Sequence, residues 1–340
     1  MFLYLTKQGS TLNKEWWKLI IKNSLDWIKR TIPFNNIEAV VIFGKIQLST
    51  DVIRAFLKAK TPVFFLSKTW GYFWKLDSLE LKNVELLYKH IEASTNEEIS
   101  LIYAKKIIIS KIQNSIKMLQ RWARFDMFQQ KKLIKFSEII DNLRFYIQKV
   151  QKAETKWEIR WYEWNASKIY FQAFKMFLPK DFEMNWRTRR PPKDEVNALL
   201  GLGYTFLAQT IQMILQIQGI EAQLWFFHKP KDLRTLLVLD IMEMYRAWIV
   251  DDLVIRLLNR WVINKENFFI NKENEQRPVL LTQEWLEIFI REYYKVILRK
   301  SDEENFWNYK KLRIIEENIM LFKKAIWEKN PEIYKWFIVK

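Results

Sequence analysis

The chain contains two histidines, His90 and His228, and no cysteine. Any metal it binds must be held by imidazole, carboxylate, carbonyl or water, and disulfides are excluded. His90 lies in LLYKHIEA among charged residues and reads as a solvated helix position. His228 ends the aromatic run QLWFFH and precedes an apolar helix containing LVLDIMEMYR. In that helix Asp240 and Glu243 are three apart and share a face otherwise made of Leu, Val, Ile and Met. Two accounts fit these carboxylates. In the first they pair with Arg234 or Arg246 along the helix, each pair contributing only about 0.3–0.5 kcal/mol. In the second, Glu243 and His228 hold a hard divalent cation together with a third carboxylate, leaving positions for water and phosphate oxygens. Glu163, in IRWYEWNASKIYFQAF, is a candidate third ligand. Read as the start of an apolar helix, it would equally suit that helix's dipole. Between the acidic segments stand Arg187, Arg189 and Arg190 in a proline-containing loop, a solvated basic loop or a holder of phosphates beside a metal.

The elements that must position these groups divide the sequence in two. Up to about residue 79, short β-branched and aromatic runs (FLYLT, IEAVVIFG, TPVFFLS) are broken by turns and predict a small, mostly β domain. Inside it STDVIRAFLKAK predicts one helix, capped by Ser49 or Thr50. From 80 to 340 the apolar period becomes 3.6, predicting helices apart from polar loops at 181–194 and around 264–278. Lys and Arg number 56 against 39 Asp and Glu, a formal charge of +17, which favours a polyanionic partner. Gln209, Gln212, Gln216 and Gln218 interrupt the most apolar stretch, so no membrane span is expected. The N-terminus lacks the pattern of a secretory signal, and the expectation is a soluble cytoplasmic protein.

Taken in order, these segments resemble the CRISPR-associated integrase family that carries out spacer acquisition. IRWYEWNASKIYF is similar to its glutamate motif and RTRRPPKDEVNALLGLGY to its central segment. QLWFFH followed by LVLDIMEMYR is similar to its histidine and Asp-x-x-Glu motifs. IEAVVIFGKIQLSTDVIRAFLKAKTPVFFLS resembles its N-terminal β domain. The resemblance covers most of residues 1–300, and the last forty residues add nothing to it. It implies an α+β chain: an N-terminal β-sandwich (1–79, dimerisation) followed by an all-α catalytic domain (80–340). It further implies Glu163, His228 and Glu243 as ligands of Mg²⁺ or Mn²⁺, with Asp240 as a neighbouring acidic member of the catalytic site. Arg187, Arg189, Arg190 and Lys231 would hold DNA phosphates. The implied partners are double-stranded DNA (a captured fragment and the CRISPR repeat), a second copy of the chain, and a small ferredoxin-like adaptation protein. The implied reaction is transesterification by a DNA 3′-hydroxyl. A transposon-encoded integrase of the same fold, a generic metal nuclease and a nonenzymatic DNA-binding scaffold share these features.

The chain departs from the family pattern at Trp74, Trp161, Trp164, Trp186 and Trp225, where the pattern has glycine. Trp numbers 17 and Gly only 6, a reversal of ordinary usage. The expectation is that many of these positions are a stop codon reassigned to glycine and read as Trp. Trp16, Trp17, Trp27, Trp70 and Trp285 stand in similar turn-like contexts.

Overall fold

The computed structural model describes residues 2–5, 7–23, 28–37, 39–66, 72–76, 83–125, 130–188, 191–228, 235–270, 279–298 and 311–339. The chain forms two compact units, Met1–Val84 and Glu85–Lys340. The fold class is α+β, as the sequence implies: sheets first, then helices.

In the first unit, β1 (Phe2–Leu5), β5 (Ala39–Phe43), β7 (Val63–Leu66) and β8 (Tyr72–Leu76) form one sheet, ordered β1-β5-β7-β8. The second sheet is ordered β4-β3-β2-β6, from β2 (Ser10–Glu15), β3 (Lys18–Asn23), β4 (Ile28–Pro33) and β6 (Gln47–Leu48). Alternation sends Leu12 and Leu19 from the second sheet and Leu3, Leu5, Val40 and Ile42 from the first into one core. Helix α1 (Thr50–Lys58) adds Val52 and Phe56, four apart on one face, and Phe56 meets Phe34 edge-on at 5.3 Å. Its cap is Ser49, whose hydroxyl accepts the Val52 N–H at 3.4 Å.

The second unit is built from α2 (Val84–Thr95), α3 (Glu97–Phe125), α4 (Gln130–Lys152), α5 (Lys156–Phe174), α6 (Glu195–Ile217), α7 (Leu236–Met242), α8 (Asp252–Asn259), α9 (Gln283–Leu298) and α10 (Lys311–Trp327). A π-helical turn, Arg246–Asp251, lies between α7 and α8. The segment read as a polar loop carries a small antiparallel ladder of β9 (Phe268–Ile270) and β10 (Val279–Leu281), so this unit is not purely helical. Helix α6 is long and apolar enough to cross a membrane by composition, but 61% of its apolar window is buried inside the protein. Gly203 lets α6 approach the π-helical turn: a Cβ there would lie 2.4 Å from Val250 Cγ1. The last residues, which carried no motif, lie against α3. Ser110 Oγ donates to the Phe337 carbonyl, and Val339 N–H donates to Asn114 Oδ1 at 2.8 Å.

The surface reading of His90 is overturned. Leu86, His90 and Ala93 form the buried face of α2, and the imidazole packs against Phe226 and Phe322 at 5.7 and 5.9 Å. Burial drives its pKa down from 6.5 to about 4, against a smaller upward pull from Glu221. The unfolded chain therefore takes the proton first. Stability is full above pH 6.5 and is lost as pH falls towards 4, where this one group costs about 3 kcal/mol. His90→Phe is expected to flatten the decline in melting temperature between pH 7 and pH 4.5. An unchanged slope in the variant would assign that decline to other groups.

Candidate active site

Four helices and one turn converge on a cavity of about 650 Å³ in the helical unit. Helix α5 begins at a capping box, in which Thr155 Oγ1 accepts the Glu158 N–H at 3.2 Å and Glu158 Oε2 accepts the Thr155 N–H at 3.0 Å. Glu163 lies well past that cap, so the helix-dipole reading of it fails. Its carboxylate lines the cavity and accepts from Ser167 Oγ at 2.8 Å, one turn along. Glu243 is the C-cap of α7 and is nearly fully buried.

One side chain joins these two carboxylates. Lys111 of α3 bonds Glu163 Oε1 through its ammonium, which also lies 2.8 Å from Glu243 Oε2. The other oxygen of Glu243 pairs with Arg246 Nη2 at 2.9 Å, so the intrahelical pair anticipated for Glu243 does form. Burial opposes the Arg246 charge, but Glu243, Tyr204 and Glu163 outweigh it and hold the guanidinium above its ordinary pKa. Arg246 and Arg187 both stack on Tyr204, at 4.8 and 5.2 Å. Tyr204 and Tyr170 each donate to Asp251 at 2.6 Å. Burial raises the Asp251 carboxyl above the usual range, against the downward pull of those two hydroxyls and of Arg246. The π-helical turn is what brings Arg246 and Asp251 round to the same cavity as Glu243.

Asp240 pairs with no arginine among the described residues. It is fully buried and accepts backbone N–H groups from Phe226, Phe227 and His228 at 2.8, 3.0 and 3.1 Å. The same carboxylate lies 2.5 Å from His228 Nδ1, which leaves Nε2 as the ring nitrogen facing elsewhere. Arg160, three before Glu163 on α5, donates to the Phe227 carbonyl at 3.3 Å. His228 is thus anchored to Asp240, and its neighbour Phe227 to Arg160, each three residues before one of the two glutamates, about 4.5 Å along a helix axis. His228 does not line the cavity, and among the described residues no three acidic or imidazole groups form a cluster able to hold one ion. The predicted residues come together as two pairs, Glu163 with Glu243 and His228 with Asp240. Arg189, Arg190, Lys231 and Arg234 lie outside the described residues. Arg187 lines the cavity and donates to Asn197 Oδ1 at 2.8 Å.

Sequence reasoning missed Lys111, Ser167, Tyr170, Tyr204 and Asp251. One signal was available for Lys111: it is four beyond Ile107 and three beyond Ile108, a charge on the apolar face of α3.

Glu163, Arg187, Tyr204, Glu243 and Arg246 of the cavity lie in the segments that carried the motif resemblance, whereas Lys111 and Asp251 lie outside them. The sequence profile of the CRISPR associated protein Cas1 family matches residues 3–295. This chain belongs to that family. A relative from Chlorobaculum tepidum, CRISPR-associated endonuclease Cas1 1, is 29% identical over 290 residues, covering 82% of this chain and 84% of that protein. Among solved structures, a chain from a partial Cas6-RT-Cas1–Cas2 complex superposes with a TM-score of 0.81 at 24% identity, covering 100% of this chain and 99% of that one. A casposase bound to its integration product superposes with a TM-score of 0.71 at 19% identity, covering 97% and 91%. These two likenesses establish the fold of this Cas1 family member.

Proposed function

We propose that this chain is a metal-dependent DNA integrase and endonuclease of CRISPR adaptation. The observation that carries this reading is the meeting of Glu163 and Glu243, remote in sequence, on one positive charge inside a cavity. Two carboxylates sharing an ammonium form an oxygen donor set of the kind that hard cations take. Glu163 and Glu243 would hold Mg²⁺ or Mn²⁺ in the cavity, and the family resemblance implies His228 as a third ligand, although its ring does not line the cavity here. A bound ion of this kind lowers the pKa of an attacking hydroxyl and neutralises charge developing on phosphorus.

In the transfer itself, the 3′-hydroxyl oxygen of a captured DNA fragment forms a bond to a repeat phosphorus. The bond from that phosphorus to its former 3′-oxygen breaks; the attacking hydroxyl gives its proton to solvent and the departing oxygen takes one up from it, so protons balance. One phosphodiester replaces another, so no covalent enzyme intermediate and no external energy source are needed. Asp240 fixes the imidazole tautomer and orientation through Nδ1. Arg187, with Lys168 and Lys175 on the cavity wall, supplies positive charge for phosphates, contributing position and salt-dependent affinity. The family resemblance implies the same role for Arg189, Arg190 and Lys231. The structural neighbours include a Cas1–Cas2 complex and a casposase bound to its integration product, which supports DNA and a second CRISPR-associated protein as its company; a second copy of the chain and the ferredoxin-like nature of the small partner are part of the proposal. The deciding assay is strand transfer of a 3′-hydroxyl DNA into a supercoiled plasmid bearing the repeat, using the chain with its small partner. Product is expected with Mn²⁺ and is lost with chelator. Equal product in both would end the metal reading.

A further inference from the structure

We propose that Lys111 is a tethered cation that occupies the metal position until a divalent ion displaces it, whereupon its ammonium is released to a DNA phosphate. The proposal rests on the reading of Glu163 and Glu243 as metal ligands. Their side chains are 19% and 2% exposed, and that of Lys111 is 13% exposed. Two ionised carboxylates drawn together in such surroundings repel strongly unless a cation separates them. Lys111 is that cation. It comes from a third helix, and among the described residues its ammonium meets the two glutamates. A divalent ion held by Glu163 and Glu243 would compete with the ammonium for their negative charge.

The two parts of Lys111 are held differently. Its backbone is fixed on α3, where Ser115 Oγ donates to its carbonyl at 2.9 Å and the C-terminal segment lies against Ser110 and Asn114. Its ammonium ends a flexible four-carbon stem, and the cavity it borders is large enough to receive it. Displacement therefore costs metal binding affinity while DNA is absent. When DNA is present the released ammonium gains a phosphate oxygen, so metal and DNA each strengthen the binding of the other.

The test is calorimetric titration of Mn²⁺ into the full-length chain without DNA, with Glu163→Gln marking which binding belongs to this site. Lys111→Met is expected to bind Mn²⁺ about tenfold more tightly than the unsubstituted chain. Lys111→Arg, which keeps the charge, is expected to match the unsubstituted chain, and both variants are checked for folding by circular dichroism. If Lys111→Met does not fold, the Arg variant and the unsubstituted chain carry the test through DNA: added duplex must tighten Mn²⁺ binding in both. Equal or weaker binding by Lys111→Met, or no effect of DNA, overturns the proposal. Absence of any Mn²⁺ binding that Glu163→Gln removes overturns the metal reading instead.

A second inference rests on independent observations about tryptophan. Trp16, Trp157, Trp161, Trp164, Trp186 and Trp261 are 49–89% exposed, although indole is among the most apolar of side chains. Trp16 is the first residue of the two-residue turn joining β2 to β3 and has φ +56°, a position that type II′ turns reserve for glycine. Trp261 has φ +54° just past α8, with Val262 N–H donating to Leu257 O and Trp261 N–H to Leu258 O at 3.0 and 3.1 Å. The same pair of bonds ends α6, where the residue is Gly219. Lys60 and Lys329 also take positive φ, so it is the conjunction with exposed indole that is telling. By contrast Trp122 is buried and donates to Asp252 at 3.0 Å, as a true tryptophan does. We infer that the producing cell inserts glycine at 16, 161, 164, 186 and 261 by reading a reassigned stop codon, and tryptophan at 122. With glycine at 164 and 186 the rim of the cavity opens, and backbone replaces two indoles there. Peptide mass spectrometry of the protein made by its own cell is expected to find glycine masses at these five positions. Indole masses at 161 and 164 overturn the inference.

Discussion

Glu163→Gln is expected to lower strand transfer by about a thousandfold while leaving the fold intact, the scale seen when one preorganised charge at a reacting phosphate or carbonyl is removed. Glutamine keeps the side chain's length and an oxygen for the Ser167 hydroxyl, which donates at 2.8 Å. It removes the negative charge that a divalent cation needs. Glu243→Gln is expected to cost as much activity, but with a second effect. The Glu243 side chain is 2% exposed and pairs with Arg246, so the variant strands a buried guanidinium and loses stability as well. Strand-transfer rates set beside thermal melts separate the two effects. A Glu163→Gln protein that transfers strands at the unsubstituted rate would remove that side chain from the chemistry.

Asp240→Ala is expected to lower the melting temperature by on the order of 10 °C and to abolish strand transfer. The reason is the number of bonds that end on one carboxylate: three backbone N–H groups and the His228 ring. Each buried N–H left without an acceptor costs about 1–3 kcal/mol, so the loss amounts to several kcal/mol. Asp240→Asn retains an acceptor oxygen and is expected to recover much of the stability. It recovers little activity, because a neutral amide does not fix the imidazole tautomer as a carboxylate does. If the Asn variant were fully active, Asp240 would be a purely structural acceptor.

Two readings of single residues failed for related reasons. His90 has polar neighbours in sequence, but its helical neighbours Leu86 and Ala93 face the interior, and the tertiary fold covers all three. Local composition describes the chain's path, whereas burial depends on what packs across from it. The helix-dipole reading of Glu163 failed because the start of α5 is set by Thr155 and Glu158, a capping box that lay in the sequence as TKWE. The order of the motifs, by contrast, was enough to locate the family, because each motif packs a local requirement into consecutive residues. Helix periodicity, N-caps at Ser49 and Asp194, and the acidic pair three apart on one turn all follow from short-range geometry.

By itself the sequence determined the division into a β half and a helical half, the helical periodicity, and the identities of Glu163, His228, Asp240 and Glu243 as chemically able groups. Those properties depend on residues within a few positions of one another, where backbone geometry fixes the spacing. Only the tertiary structure decided that Lys111 would lie between Glu163 and Glu243, that Asp240 would support His228, and that a π-helical turn would bring Arg246 and Asp251 to the same cavity. Each of those meetings joins elements remote in the chain. They follow from how whole helices pack, which no local pattern encodes.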